Sequence, residues 1–352
     1  MSHSTATNPA WPDLRPIPLP PLEPNPLVSI LIANYNYARY LPDCLNSVFA
    51  QSYSHFEVIV CDDGSTDESL QVLARFAAAD QRVRFVAQPN GGMASALNHA
   101  YEQAQGQLIA LLDADDVWYP SKLTKTVQAF LQNPEAGMVT HQLCAEETEG
   151  KVVRRFLPPR LDSGWLAPQC VNGESLRLPP CSALAVRSEV AKSIFPIPPI
   201  FRSSADRIVQ EGALLHSHVA AIPEVLAMYR VHGNNLTGLA GPLDSQSIQK
   251  TIAFLENVWR TRSQFLHQLH GISLKPDRWQ LAEGSEYRLA LSLLAKDRTA
   301  RPDINLITDR KRRIAWSILT KLPDALAIQG LRFWWRPNPV KRITDSLSRL
   351  FS

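Results

Sequence analysis

The chain has 352 residues, 45% of them hydrophobic and 20% charged, with a formal net charge of +3. That length allows about two domains at ~150 residues each, with a core that needs no disulfide or metal staple, and the apolar fraction excludes a wholly disordered chain. The charge gives no case for nucleic acid; no apolar run reaches the ~18 residues of a spanning helix, and no basic flank with an apolar core opens the chain, so a cytoplasmic protein without a signal peptide or membrane span is expected.

Eight prolines fall between residues 9 and 26. Such a density offers few backbone donors and favours extended conformation, so residues 1–26 read as a disordered or loosely draped arm. Residues 27–143 then alternate two patterns. Apolar runs at 27–33, 56–61, 83–86 and 108–112 read as buried strands, and 41–51, 69–79 and 94–105 carry apolar residues at helical spacing. Helices alternating with near-continuous apolar strands imply a mostly parallel sheet covered on both faces. Ligands of such sheets sit beyond the carboxyl ends of the strands.

The polar residues concentrate at those ends. Asn34-Tyr35-Asn36 follows the first strand and Asp62-Asp63-Gly64-Ser65-Thr66-Asp67 the second; Asn90-Gly91-Gly92 follows the third and Asp113-Ala114-Asp115-Asp116 the fourth. Each alone reads equally as turn chemistry. Together they point to one cleft. Three carboxylates within four residues repel one another, and hard oxygen ligands suit Mg²⁺ or Mn²⁺. A solvated acidic turn is the alternative, but this turn sits between a buried strand and the apolar Val117-Trp118-Tyr119-Pro120.

Further along, 152–156 reads as a short strand, and 180–186 as a strand leading into a helix. Residues 245–270 and 276–296 read as an antiparallel helical pair. From residue 301 onward there are 11 Lys and Arg against 4 Asp and Glu, so the remainder of the chain is mildly acidic. Arg310-Lys311-Arg312-Arg313 and Leu331-Arg332-Phe333-Trp334-Trp335-Arg336 mix basic with apolar and aromatic residues, which suits either a packed terminal helix or an anionic membrane surface. The five cysteines form no CxxC pair, which argues against a disulfide framework or a zinc site.

The ordered set Val28-Ser29-Ile30-Leu31-Ile32-Ala33-Asn34-Tyr35-Asn36, Asp62-Asp63-Gly64-Ser65-Thr66-Asp67, Asn90-Gly91-Gly92 with Asn98, and Leu112-Asp113-Ala114-Asp115-Asp116 resembles glycosyltransferase family 2. The resemblance is strong over 27–135 and weaker over 180–237. It implies an α/β GT-A fold, a Rossmann-like mixed and mostly parallel sheet flanked by helices, with a helical C-terminal extension. It divides the chain into the arm 1–26, a catalytic domain 27–240 (nucleotide-sugar half 27–143, acceptor half 144–240) and a helical region 241–352 with a basic, aromatic tail.

The implied activity is metal-dependent, inverting transfer of a sugar from a nucleoside-diphosphate sugar, UDP-type favoured. The acceptor would be a hydroxyl of a saccharide, a lipid-linked saccharide or another molecule, in cell-surface glycan synthesis. The resemblance places Ala33, Asn34 and Tyr35 in the nucleoside pocket, with Asp63 accepting from the base and Asp62 left to cap the turn. Gly91 and Gly92 let backbone approach the donor, or simply form a turn. Asp113 approaches the ribose or the metal. Asp115 ligates the Mn²⁺ or Mg²⁺. His232, in Tyr229-Arg230-Val231-His232-Gly233, lies near the metal or serves as a structural imidazole, and Arg230 meets phosphate.

The acceptor hydroxyl needs a carboxylate to take its proton. Asp206 fills the family's base position, although Ala205 stands where the family carries Glu, and a helix-capping Asp is the other reading. That departure keeps a non-catalytic nucleotide-sugar or glycan binder open. A sugar nucleotidyltransferase is disfavoured because no Gly-rich phosphate loop follows the first strand. The implied partners are a nucleotide sugar and a glycan or lipid-linked acceptor; separately, the basic, aromatic composition of 301–352 suits either peripheral contact with the inner face of the membrane or a packed terminal helix.

Overall fold

The computed structural model describes residues 13–147, 152–174, 176–232, 244–274, 284–297, 303–307 and 310–334. The chain divides into two compact units. The first comprises Met1–Pro168 and Arg177–Leu236, the second Gln169–Leu176 and Thr237–Ser352.

The first unit is built on one nine-stranded sheet. Its elements are β1 (Val28–Asn34), α1 (Leu41–Phe49), β2 (Phe56–Asp62), α2 (Ser69–Ala79), β3 (Val83–Ala87), α3 (Met93–Glu102), β4 (Leu108–Leu111), β5 (Val117–Trp118), α4 (Lys122–Gln132), β6 (Ala136–Glu147), β7 (Val152–Leu157), the start of α5 (Ala167–Val171, whose residues from Gln169 belong to the second unit), β8 (Leu184–Arg187), α6 (Ser188–Ile194), α7 (Asp206–His216) and β9 (His218–Val231). The strand order is β3-β2-β1-β4-β8-β6-β9-β5, with β7 beside β6. β3, β2, β1 and β4 are parallel. β8 enters antiparallel to β4 and to β6, whereas β6 and β9 are parallel.

This is the mixed α/β sheet expected from the alternation of strand and helix patterns. Every residue of β2 and β4 is buried, and β1 is buried at all but Ala33. Strands covered on both faces are mostly apolar, with the buried polar residues paired (Ser29 with Glu57, Asn34 with Asp62), which is why they read as near-continuous runs. The order steps outward from β1 through β2 to β3, then returns to β4 on the other side of β1. Right-handed crossovers therefore put α1 and α2 on one face and α3 on the other. The point of reversal, between β1 and β4, is where a cleft opens beyond the strand ends.

Residues 13–26 form no helix or strand but run along this unit. Leu14 is buried, Ile17 N–H donates to the His216 carbonyl at 2.8 Å, and Tyr53 Oη donates to the Pro26 carbonyl at 2.6 Å. The run 180–186 departs from its expected strand. Cys181–Ala183 is a single 3₁₀ turn and the strand begins at Leu184. Pro179 and Pro180 supply no donors, and the next polar groups are turned to the site described below.

The second unit is helical: α8 (Ser245–His270), α9 (Ser285–Leu294), α10 (Arg310–Leu319) and α11 (Asp324–Trp334). Asp244 caps α8 by accepting from Ser247 N–H at 2.8 Å, and Gly271, at φ +67°, ends it. α9 packs on α8, and α11 packs on α9 and α10. Ile248, Leu289, Leu293, Trp316, Ala327 and Leu331 form the core of this unit. No helix among the described residues is long and apolar enough to cross a membrane.

Candidate functional site

The expected site residues form two groups. The first surrounds Asp63 at the end of β2. Its Oδ1 accepts from Gly91 N–H at 2.7 Å and from the Gln88 amide, and its Oδ2 accepts from Gly92 N–H at 2.7 Å. Gly91 and Gly92 are thus held by Asp63 at the N-terminus of α3. Gly92 has φ +88°, and a Cβ there would lie 2.6 Å from Arg202 Cα. Glycine is required at that point both for its backbone and for the close approach of 202.

Asp62 is fully buried. It accepts from Asn34 Nδ2 at 2.7 Å and from Ser65 N–H at 2.9 Å, so it holds the turn and fixes Asn34 across the sheet. Asn34 Oδ1 is buried without a partner. Ala33 lies at the end of β1 beside Cys61, and the next ring, Tyr35, is exposed.

The second group gathers at the ends of β4 and β9. Carboxylate oxygens of Asp113, Asp115 and Asp116 all lie within 4.8 Å of one another. Asp116 is fully buried; its Oδ2 accepts from Ser182 Oγ at 2.6 Å and its Oδ1 from Arg230 N–H at 2.9 Å. Ser182 Oγ also accepts from Asp113 N–H at 3.0 Å. Asp115 Oδ2 lies 2.9 Å from His232 Nε2, and the His232 ring stacks on Tyr40 at 4.9 Å between centroids. The Arg230 guanidinium lies over Tyr40, donating from Nε to the Asp115 carbonyl and from Nη2 to Asp43 Oδ2. Gly233, next to His232, lies outside the described residues.

Asp206 is the first residue of α7, and the fold carries it to this cluster. The turn at Cys181 joins the two. The Cys181 thiol donates to the Asp113 carboxylate, while the Cys181 N–H donates to Asp206. A strap leads there from the first group. Met93 and Ala94 N–H donate to the carbonyls of Arg202 and Phe201, and Arg202 Nη1 donates to the Gly91 carbonyl at 3.0 Å. Four residues after Arg202 the chain reaches Asp206.

The electrostatics follow from placing this many acids together with little solvent. Withdrawal from water and the charges of Asp115 and Asp206 raise the Asp113 carboxyl to about 8. Burial, then Asp115 and Asp113, raise Asp116 well above the usual carboxylate range. Burial also raises Asp206, against backbone donors that lower it. The site holds more negative charge than its own donors satisfy. Carboxylate oxygens at this spacing are the donor set a hard divalent cation takes, so the residues fit one.

Cys181 and Ser182 carried no signal in the sequence beyond their place in an apolar run. Tyr37 and Tyr40, just after Asn34-Tyr35-Asn36, carried no signal of their own. Burial and the three nearby aspartates push the Tyr37 phenol well above its usual value. Lys122 was also missed. It is fully buried, its Nζ stands 3.5 Å above the Trp118 ring without a hydrogen-bond partner, and burial lowers its ammonium far below the ordinary value.

Comparison with known proteins places the chain in a family. The profile of Glycosyl transferase family 2 matches residues 29–190. An uncharacterized glycosyltransferase of Nostoc sp. is 34% identical over 265 residues, covering 74% of this chain and 81% of that protein. Chondroitin synthase of Pasteurella multocida is 42% identical over 108 residues, which is 31% of this chain but 11% of that protein's length. Among solved structures, S. aureus TarS in complex with UDP-GlcNAc superposes with a TM-score of 0.53 at 15% identity, over 87% of this chain and 92% of that one. The mannosyltransferase PcManGT of Pyrobaculum calidifontis, in complex with GDP-Man and Mn²⁺, gives 0.51 at 18% identity, over 96% and 88%. At such identities the structures establish the fold. The chain belongs to glycosyltransferase family 2 and is a glycosyltransferase.

Proposed function

We propose that this glycosyltransferase moves a sugar from a nucleoside-diphosphate sugar to an acceptor hydroxyl, with inversion, and with Asp206 as the general base. The observation that carries this reading is the approach of Asp206 to Asp113 across the Cys181 turn, although 93 residues separate them in sequence. Backbone donors at the start of α7 also hold Asp206, and the acidic neighbour Asp113 is what a helix cap alone does not require.

Asp115 and Asp113 would hold Mn²⁺ or Mg²⁺, with His232 fixing Asp115. When bound, the ion supplies a Lewis acid that offsets the charge of the leaving diphosphate. Asp206 accepts the acceptor proton as the hydroxyl oxygen bonds to the anomeric carbon and the bond to diphosphate breaks, its electron pair leaving with the phosphate. Burial raises Asp206 and so strengthens it as a base. Ala33, Asn34 and Tyr35 line the nucleoside pocket, and Gly91 and Gly92 give room for the donor. Asp63 Oδ2 has capacity for one more donor beside Gly92 N–H, which suits the N3–H of uracil and favours a UDP-type donor. Arg230 steadies the Asp115 turn and faces the diphosphate.

We assign the region 27–240 to catalysis, as a donor half and an acceptor half, and 241–352 to a helical extension. The acceptor is a saccharide or lipid-linked saccharide, and the setting is polysaccharide synthesis in the cytoplasm. The synthase names among the relatives support that setting.

A thermal-shift series with UDP, GDP, CDP and dTDP, each with Mn²⁺ or EDTA, tests the donor site. A nucleotide at 100 times its Kd stabilises by about 2.7 kcal/mol. The expected result is one nucleotide whose shift vanishes in EDTA. Asp206→Asn should keep that shift and lose transfer. Retained transfer would remove Asp206 from the mechanism. A wild type that binds donor without turnover on any acceptor would favour a non-catalytic relative.

A further inference from the structure

We infer that the helical unit carries a docking face for an anionic membrane surface, centred on the exposed stripe of α10. The inference rests on the second unit alone and does not depend on the donor site.

Between residues 310 and 334 the sequence has six Lys and Arg against a single acid, Asp324. On α10 the exposed residues are Arg310, Ile314 and Ile318, with Lys321 just beyond the helix end. They recur at steps of four, four and three, so they share one stripe. On α11 Leu326 and Arg332 are also exposed, about a third of a turn apart around the helix.

Ile314 is 52% exposed, Ile318 58% and Leu326 53%. The opposite faces of the same helices are spoken for, since Trp316, Leu319, Ala327 and Leu331 make the core of the unit. The outward isoleucines are therefore not residues awaiting a fold; they lie on the finished surface of one.

Isolated exposed aliphatics need no explanation. On α10 they stand in register with cations, and the sequence has no acid from 310 to 321. A protein partner would have to be acidic and apolar in the same pattern. A nucleic acid would satisfy the cations but offers nothing to the isoleucines of the same stripe. A membrane offers both layers, anionic headgroups for Arg310, Lys321 and Arg332 and hydrocarbon for Ile314, Ile318 and Leu326. The charge asymmetry agrees. Residues 301–352 carry a surplus of seven positive charges, and the remaining 300 residues a deficit of four.

The test is flotation of the full chain with vesicles of phosphatidylcholine alone or mixed with phosphatidylglycerol. Binding to the anionic vesicles, absent with phosphatidylcholine and weakened by salt, is expected. The double substitution Ile314→Glu with Ile318→Glu should lower partitioning by at least about tenfold. It should leave the second unit's melting and the nucleotide-dependent thermal shift unchanged. Arg310→Gln with Arg332→Gln, which touches no core residue, should weaken binding and flatten its salt dependence. A wild type that does not float with anionic vesicles overturns the inference. So does binding that both double variants retain. A monomer–dimer equilibrium in light scattering that the isoleucine variant abolishes, without vesicle binding, would reassign the face to a second copy of the chain.

Discussion

Replacing Ser182 with alanine removes one oxygen from the centre of the acidic turn. The hydroxyl donates to Asp116 Oδ2 at 2.6 Å and accepts from Asp113 N–H at 3.0 Å, and Ser182 is fully buried. A hydrogen bond to a charged group contributes about 1.5–3 kcal/mol, and a buried donor left unsatisfied costs about 1–3 kcal/mol. The two effects share one atom and do not add fully, so a loss of about 3 kcal/mol is expected. For a unit of this size 1 kcal/mol moves Tm by about 2–4 °C, which gives a fall of about 6–12 °C. The indole of Trp118, whose Nε1 donates to the Ser182 carbonyl at 2.8 Å, reports the transition by its fluorescence. Ser193→Ala serves as control, because its hydroxyl bonds only within its own helix, to the Val190 carbonyl. It should shift Tm by no more than about 1–2 °C. Mn²⁺-dependent nucleotide binding should weaken in Ser182→Ala and not in the control. If Ser182→Ala melts within about 2 °C of wild type, the hydroxyl does not hold the turn, and the joint between β8 and the three aspartates is misassigned.

Three other outcomes follow from the same structure. Lys122→Met should stabilise the protein by about 1–3 kcal/mol, because it removes a buried nitrogen without a partner and keeps the length of the side chain. Burial lowers the lysine's folded-state pKa, so the wild type is penalised more as pH falls below the unfolded value near 10; the gain in chemical denaturation should be larger at pH 6.5 than at pH 9.5, and a destabilised variant would contradict the reading. Gly92→Ala should cost at least about 1–3 kcal/mol from the positive φ alone, with Arg202 displaced, and abolish the nucleotide shift; a neutral effect on both would show that the strap is not held there. The carboxyl of Asp113, raised to about 8 by burial and its acidic neighbours, stabilises the metal-free protein while it is protonated, and that contribution is lost as pH rises from about 4 through about 8. Metal-free Tm should therefore fall between pH 6 and pH 8.5, and Mn²⁺ should oppose that fall; an unchanged slope with Mn²⁺ would argue against a cation at this cluster.

The legible parts of this chain are those whose physics is local. β1, β2 and β4 are buried on both faces and read as near-continuous apolar runs, so their positions and the polar residues after them could be read directly. β6 and β9 were hidden by their own polar residues. Thr140, His141 and Gln142 are buried in the middle of β6, where Gln142 donates to the Pro158 and Pro159 carbonyls, and no period of two remains. The same distinction divides the site. Asp113, Asp115 and Asp116 sit within four residues and announce themselves. Their partners do not, because each acts through a group every residue has or through a side chain with no signature: the Arg230 N–H, the Cys181 N–H, and the Ser182 hydroxyl at the end of a two-proline run. Asp206 shows why motif and geometry must be combined. Beside Ala205 it reads as a weakened match, yet Ala205 is fully buried at the start of α7, against which a charged residue would need its own partner. The carboxylate that remains, Asp206, reaches the acidic cluster through the Cys181 turn without that neighbour. The local departure from the family pattern thus leaves one carboxylate, Asp206, beside Asp113 at the Cys181 turn.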